Sequence, residues 1–384
     1  MFCRRLRQWF SPLSYGPAIL TLWMSLAWTA ATWSADDFSP HLLIRDPEVL
    51  NDVRASGEGP WSFLGTVHKL FSKTVSPSPG EIEPGLVDWF SQWSATVDSN
   101  GHTLEPRNAL AVIREVWPKA PNGALIRDQS PYRLIAILFR LDLRNPDSPA
   151  GEGRFVFQLS EPFTEIPIES YVIFEFALAS PGETVKFWAQ RIQDLSQTTD
   201  LNSYKVKLEA MTESFAVAEK LRFVRTNDFV FAPIWELRNF TYDSIARRLV
   251  ATPIPGTPHS DFDTTKRSEL EVWIISQSLT SRDTTLVLPS TMQTTVAPLP
   301  SEFYTWLEGS RVPTPARRIF AQQTCNGCHG IETETRFTHF FKDSFQEVTK
   351  TSDFLARELE KRNADLIALL SGNAPAYLAD QRVH

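Results

Sequence analysis

The spacing of hydrophobic positions changes along this chain. Leu86–Trp93 and Leu110–Trp117 repeat apolar side chains at three- and four-residue steps, which predicts helices, and the connecting stretches, such as Ser76–Gly85, are rich in Pro, Gly and Ser. From residue 132 the pattern shortens. Tyr132–Leu143, Gly153–Leu159 and Tyr171–Leu178 are short apolar or alternating runs that predict strands. Thr184–Leu195 and Tyr204–Lys220 return to helical spacing. Leu221–Phe231, Trp235–Tyr242 and Arg247–Ile254 are strand-like again, and Ser268–Leu279 predicts one more helix. Strands outnumber what simple βαβ alternation would give. The pattern therefore predicts an α+β fold: a helical N-terminal part, a mostly antiparallel sheet and a small α-helical C-terminal unit. Four prolines in Pro298–Pro315 mark a boundary, dividing an α+β domain at 36–305 from a C-terminal segment at 314–384. In that segment Ala316–Gln323 predicts a short helix. Ser352 caps another, which carries Leu355, Leu359, Leu366 and Leu370 on one side and stops at Gly372.

The N-terminus departs from this pattern. Arg4, Arg5 and Arg7 precede an uncharged stretch from Ser11 to Ala35, with Thr29-Ala30-Ala31 at a small-x-small cleavage position. Residues 1–31 read as a cleaved export signal, with an uncleaved membrane anchor as the alternative. Both place Asp36 onwards outside the cytoplasm, in the periplasm or secreted. Cys3 lies in the charged region before the apolar run and is read as a spectator.

Composition narrows the classes. With 384 residues, 42% hydrophobic and 22% charged, the chain is long enough for a sizeable core. Its 26 Phe and 12 Trp predict that the core is aromatic-rich. A net charge of −7 without a long basic run argues against nucleic acid as a partner. Beyond the signal only Cys325 and Cys328 remain, too few for a disulfide scaffold.

Those two cysteines carry the chemistry. Thr324-Cys325-Asn326-Gly327-Cys328-His329-Gly330 contains C-x-x-C-H, the attachment signature of c-type haem. Two thiols on one turn reach the two vinyl groups on one porphyrin edge, and the next residue sets an imidazole under the iron. Cys325 and Cys328 are thus the expected covalent attachment points for one haem c, and His329 the proximal iron ligand. Export agrees, because c-type haem is attached on the far side of the bacterial membrane. Three rival readings use the same residues. A thioredoxin-like pair would follow an early strand of a βαβ unit. The cysteines could instead form a plain disulfide in a non-haem envelope protein. Zinc would use Cys325, Cys328, His329 and His339, although neighbouring Cys328 and His329 do not easily reach one tetrahedral ion.

No methionine follows Cys328, so a Met-ligated carrier would need Met292 or Met211 to fold back. His339, ten residues after His329, is the first candidate for distal ligand. His384, His41, His68, His102, His259 and an open, five-coordinate iron are the others. Two His ligands imply electron transfer; an open position admits peroxide, NO or CO.

Elsewhere, charged residues interrupt the strand-like runs: Arg140, Asp142 and Arg144; Glu152 and Arg154; Arg225 and Asp228; Glu236 and Arg238. If Phe139–Arg144 is a strand, Arg140, Asp142 and Arg144 share one face. Such pairs read first as cross-strand ion pairs on a solvated sheet face, and second as a polar pocket or a docking face for haem propionates. No Ser-His-Asp order, G-x-S-x-G, P-loop or H-E-x-x-H occurs. Asn239-Phe240-Thr241 is a glycosylation sequon by pattern only.

Several blocks carry a resemblance. Pro131–Arg144, Gly151–Phe157, Val172–Phe176, Arg225–Asp228, Trp235–Arg238 and Phe320–Gly330 with Glu332–His339 together resemble a family of exported bacterial proteins bearing a C-terminal TCxGCH segment. The similarity spans most of the chain after the signal and implies that haem segment and larger domain travel as one unit. It implies no activity and no redox partner. The C-terminal segment partly resembles a class I cytochrome c domain. It matches at the leading helix and C-x-x-C-H-G, and departs by its shortness and the missing methionine.

Overall fold

The computed structural model describes residues 37–375 except 58, 72–78, 94–95, 100–101, 105, 108–112, 114–116, 120, 122–125, 127–128, 161–166, 229–234, 255, 280–285, 295, 300–302, 333–337 and 342–348. The expected signal or anchor, most of Leu110–Trp117 and His384 lie outside the described residues. Residues 37–384 pack as one compact unit. Among the described residues no helix is long and apolar enough to cross a membrane.

In chain order the elements begin with α1 (Ser39–Leu42), β1 (Leu43–Ile44), α2 (Pro47–Leu50), α3 (Phe63–Phe71), α4 (Pro79–Ser91), β2 (Val97–Ser99) and β3 (His102–Leu104). The central strands β4 (Tyr132–Arg140), β5 (Glu152–Ser160) and β6 (Pro167–Ala177) follow. Then come α5 (Val185–Ser196), α6 (Leu201–Glu213), β7 (Leu221–Asp228), β8 (Trp235–Asp243) and β9 (Arg248–Thr252). The chain ends with α7 (Arg267–Ser276), β10 (Val296–Leu299), α8 (Thr314–Ala321), α9 (Cys325–Cys328), β11 (Phe340–Phe341), β12 (Lys350–Thr351) and α10 (Asp353–Leu370). Strands pair antiparallel in the order β1-β4-β5-β6-β7-β8-β10, with β9 also on β8. The fold is α+β, as the periodicity predicts.

The strands read as nearly continuous apolar runs because both faces of the sheet are covered. One face carries Phe155, Phe157, Phe174, Phe176 and Phe240 and packs against Phe63, Trp89, Trp188 and Phe215 from the helices and loops. Gly153 belongs to this packing: a Cβ there would lie 2.6 Å from the Phe215 ring. The opposite face carries Leu138, Arg154, Val156, Glu175, Arg225 and Asn227 and is covered by the chain after residue 324.

That covering is pinned at several points. Ser352 caps α10 by accepting from the Leu355 amide, and Leu366 and Leu369 join the main core. Phe38 N donates to Asn363 Oδ1, Arg45 to the Thr349 carbonyl, and Thr349 Oγ1 to the Ile135 carbonyl.

Three expectations need correction. The charged clusters are not on a solvated face: Arg140, Arg144, Glu152, Arg154, Arg225, Asp228, Glu236 and Arg238 are all buried. The reason is the second layer over the sheet, which strand alternation cannot reveal. Nor do Arg140, Asp142 and Arg144 share a strand face. β4 ends at Arg140 and Leu141–Leu143 form a 3-10 turn, so Asp142 chelates Arg140 locally while Arg144 reaches Asp365 on α10 in a two-pronged pair at 2.5 and 2.8 Å. Finally, the helix predicted to Lys220 stops at Glu213, where Phe215 turns into the aromatic core.

Candidate functional site

The site begins with one helical turn. The Thr324 hydroxyl caps it by accepting from the Gly327 amide, while the amides of Cys328 and His329 donate to the carbonyls of Thr324 and Cys325. Gly327 is required by contact: a Cβ would sit 2.1 Å from the Ala321 carbonyl oxygen of the preceding helix. The Cys325 amide donates to Thr257 Oγ1 at 2.9 Å, which ties the turn to the loop after β9. Cys325 itself packs among Trp235, Leu237, Ile254 and Ala297.

Both cysteines are buried free thiols. Burial pushes the Cys325 thiol up from its ordinary value. It pushes the Cys328 thiol well above it, helped by Cys325 and Glu358. Neither is a thiolate at neutral pH, which is unlike the activated cysteine of a thiol oxidoreductase. Among the described residues, no group of three or more His, Cys, Asp or Glu side chains is arranged to hold a metal ion, so the four-ligand zinc arrangement is not formed.

The structure brings three of the four sequence-predicted residues into direct sequence of contact. Cys328 Sγ lies 3.3 Å from His339 Nε2, and the His339 ring lies 4.5 Å from that of His329, centroid to centroid. His339 Nδ1 is 3.0 Å from Ser352 Oγ, the cap of α10, and its ring also meets Phe354. His329 also stacks on Trp235 at 4.7 Å, and Trp235 Nε1 donates to Asn227 Oδ1. Sequence reasoning quoted Trp235 only as part of a charged block and missed this support. It also missed Thr257 and Arg362, which no spacing ties to residues 325–329.

The remaining ligand candidates lie elsewhere. His41 meets Tyr204, His259 meets Asp261, and neither lines the cavity beside His329. His68 is on α3; of His102, on β3, the side chain is outside the described residues. Met211 is in the main core and Met292 packs on the cluster around Leu270 and Trp306.

That cavity separates the sheet from its cover. Arg140, Arg154, Glu175 and Arg225 form its polar floor; His329, His339, Phe340, Phe354 and Arg362 close it. Leu138, Val156, Ile173 and Leu237 make the rest apolar. Glu175 is shared by Arg154 at 3.1 Å and Arg225 at 3.4 Å, and Asp142 by Arg140 at 2.8 Å and Arg362 at 3.5 Å. Burial would raise the Asp142 carboxyl, but Arg140 and Arg362 hold it far below the usual range. Burial, and then the Arg140 charge, lower Arg362 to about 9.

The donor set fits a c-type haem: two thiols and an imidazole on one turn, a second imidazole beside them, apolar walls and cationic groups. The space is smaller than the group. About 80 Å³ is open to water-sized molecules, room for a handful of waters at roughly 10–15 Å³ each. A porphyrin does not fit this space as the described residues stand. No protein-family model, curated protein or solved structure matches the chain.

Proposed function

We propose that this is an exported monohaem c-type protein of the bacterial cell envelope, whose small helical C-terminal unit carries the haem. Cys325 and Cys328 hold the porphyrin and His329 is the proximal ligand. The observation that carries the reading is the capped turn Cys325–Cys328, which holds both buried thiols on one turn and sets the His329 that follows them against a cavity with apolar walls. Bound there, haem supplies a one-electron couple, and the role is electron transfer. Trp235 stacks on the His329 ring, and Thr257 and Thr324 hold the turn. Both thiols are completely buried, so attachment precedes folding of the cover.

A second reading, an open iron that takes peroxide, NO or CO, is favoured by one contact. The His329 and His339 rings touch, which does not set them on opposite sides of one iron. His339 becomes a distal ligand only by parting from His329 and Cys328.

The test is a haem stain on a denaturing gel with a pyridine haemochrome spectrum, on protein exported from a bacterium that matures c-type cytochromes. Covalent haem is expected in the wild type and not in Cys325→Ala/Cys328→Ala. Haem in neither rejects the reading and leaves a non-haem envelope protein with a disulfide. Where haem is present, a reduced spectrum indifferent to CO supports electron transfer, and a CO shift supports the open site.

A further inference from the structure

Residues 38–45 touch both the sheet and the layer that closes the cavity beside His329. On the sheet side, Leu43 and Ile44 pair with Leu138 and Ile137 of β4. Leu43 also clusters with Leu138, Val156, Tyr171 and Leu355, which line the cavity. On the cover side, the Phe38 amide donates to Asn363 Oδ1 on α10 at 2.7 Å, and α1 packs against α10. Arg45 Nη1 donates to the Thr349 carbonyl at 2.9 Å. From Thr349 the chain runs through β12 to Ser352, whose hydroxyl meets His339 Nδ1, and the same His339 touches Cys328. A four-residue helix and a two-residue strand have no stability of their own. The strap is seated only by what it touches, and a segment of that kind can open while the rest of the fold stays intact. Phe38 and Asn363 are 325 positions apart. The strap therefore cannot seat until the chain that carries Cys325 and Cys328 is in place, and contacts of such separation form slowly.

We infer that residues 38–45 are a latch: seated, they hold the cover over the cavity and Cys328, and released, they let it open. The device supplies the order that the function above requires, with attachment first and closure last. Only that consequence rests on the haem reading. The latch itself is defined by access to Cys328, so the two claims fail separately.

The experiment uses the haem-free full chain, made without cytochrome maturation, and follows how fast a disulfide reagent labels Cys328, read by peptide mass. The latch variant is Phe38→Ala/Arg45→Ala, and neither residue lines the cavity. Leu249→Ala, a core truncation on β9, is the control. Each protein is compared at the urea concentration that gives it the same global stability. The latch variant loses a buried ring and a charged hydrogen bond, so at matched stability it is expected to label at least roughly tenfold faster than the control. Its rate should depend little on urea, because local opening exposes little surface. Equal rates that both rise with urea as global unfolding does overturn the inference, since Cys328 is then reached only when the whole chain unfolds. If the double variant fails to fold, Arg45→Ala alone carries the test: a smaller rise, about threefold, is expected, and equality with the control again overturns the latch. Absence of covalent haem in the stained gel rejects the haem reading and leaves the labelling result, and with it the latch, intact.

Discussion

Cys328 Sγ and His339 Nε2 stand 3.3 Å apart, and they join two segments that enter the site separately. The thiol belongs to the capped turn Cys325–Cys328. The imidazole is held from behind by Ser352, the N-cap of α10. Each contact pairs one donor with one acceptor, and the tautomer of His339 sets the direction of both. The Cys325–Cys328 turn and the C-terminal helix are therefore coupled through one histidine.

The burial of both thiols, and not that contact, predicts low thiol reactivity. In the haem-free folded chain, a disulfide reagent at pH 8 is expected to leave Cys325 and Cys328 largely unmodified until denaturant is added. Prompt reaction of both in the native protein would contradict the burial described. The sign for stability follows. The Cys328 thiol keeps its proton to higher pH when folded than when unfolded, so its contribution is complete below about 9 and is lost as pH rises above that. Denaturation midpoints at pH 7 and pH 10, in wild type and Cys328→Ala, measure it. Cys328→Ala should fall less.

Asp142 predicts the opposite limb. Between Arg140 and Arg362 its folded pKa is depressed, so the stability it gives is present above the ordinary value of 3.8 and is lost as pH falls below it. Asp142→Asn leaves two buried guanidinium groups short of a counter-charge. A loss on the order of 3 kcal/mol at pH 7 is expected, with a flatter acid limb than the wild type. Urea midpoints from pH 3 to pH 7 are the measurement; parallel curves for the two proteins would refute the assignment.

The backbone of the attachment turn is more legible in the sequence than its surroundings. The cysteine spacing, the capping residue Ser352 and the extents of β5, β8, α5 and α10 follow from local signals that act within one or two turns or one strand. What stayed hidden depends on layers. Alternation shows that Arg154 and Glu175 face the same way, but not that His329, Thr338–Phe340, Phe354, Leu355 and Arg362 lie across that face. The same blindness hides the stack of Trp235 on His329, which are 94 residues apart in sequence. Strand and loop conformations alternate within Phe139–Arg144, and only the 3-10 turn at Leu141–Leu143 separates Arg144 from Arg140.

Gly327 tests whether the turn itself is indispensable. Alanine there would place its Cβ 2.1 Å from the Ala321 carbonyl oxygen, in backbone and not in a movable side chain. The turn must shift against α8, at a cost of roughly 1–3 kcal/mol. Gly327→Ala is expected to lower the thermal midpoint of the haem-free protein, while Asn326→Ala, which adds no Cβ where none stands, should matter less. Equal midpoints for Gly327→Ala and wild type would show that the turn relaxes without loss.

Trp235 separates packing from orientation. Its indole is buried, stacks on His329 and donates to Asn227, so truncation to alanine removes both a large core group and the plane against which the imidazole rests. A loss of about 3–5 kcal/mol is expected for Trp235→Ala. Trp235→Phe keeps an aromatic face and loses the hydrogen bond. If the stack orients His329, the phenylalanine variant retains the wild-type electronic spectrum of the haem protein, and the alanine variant changes it even at temperatures where its far-ultraviolet circular dichroism is native. A spectrum unchanged in both would show that the ring of His329 is fixed by other neighbours, with His339 at 4.5 Å the next to test by His339→Ala.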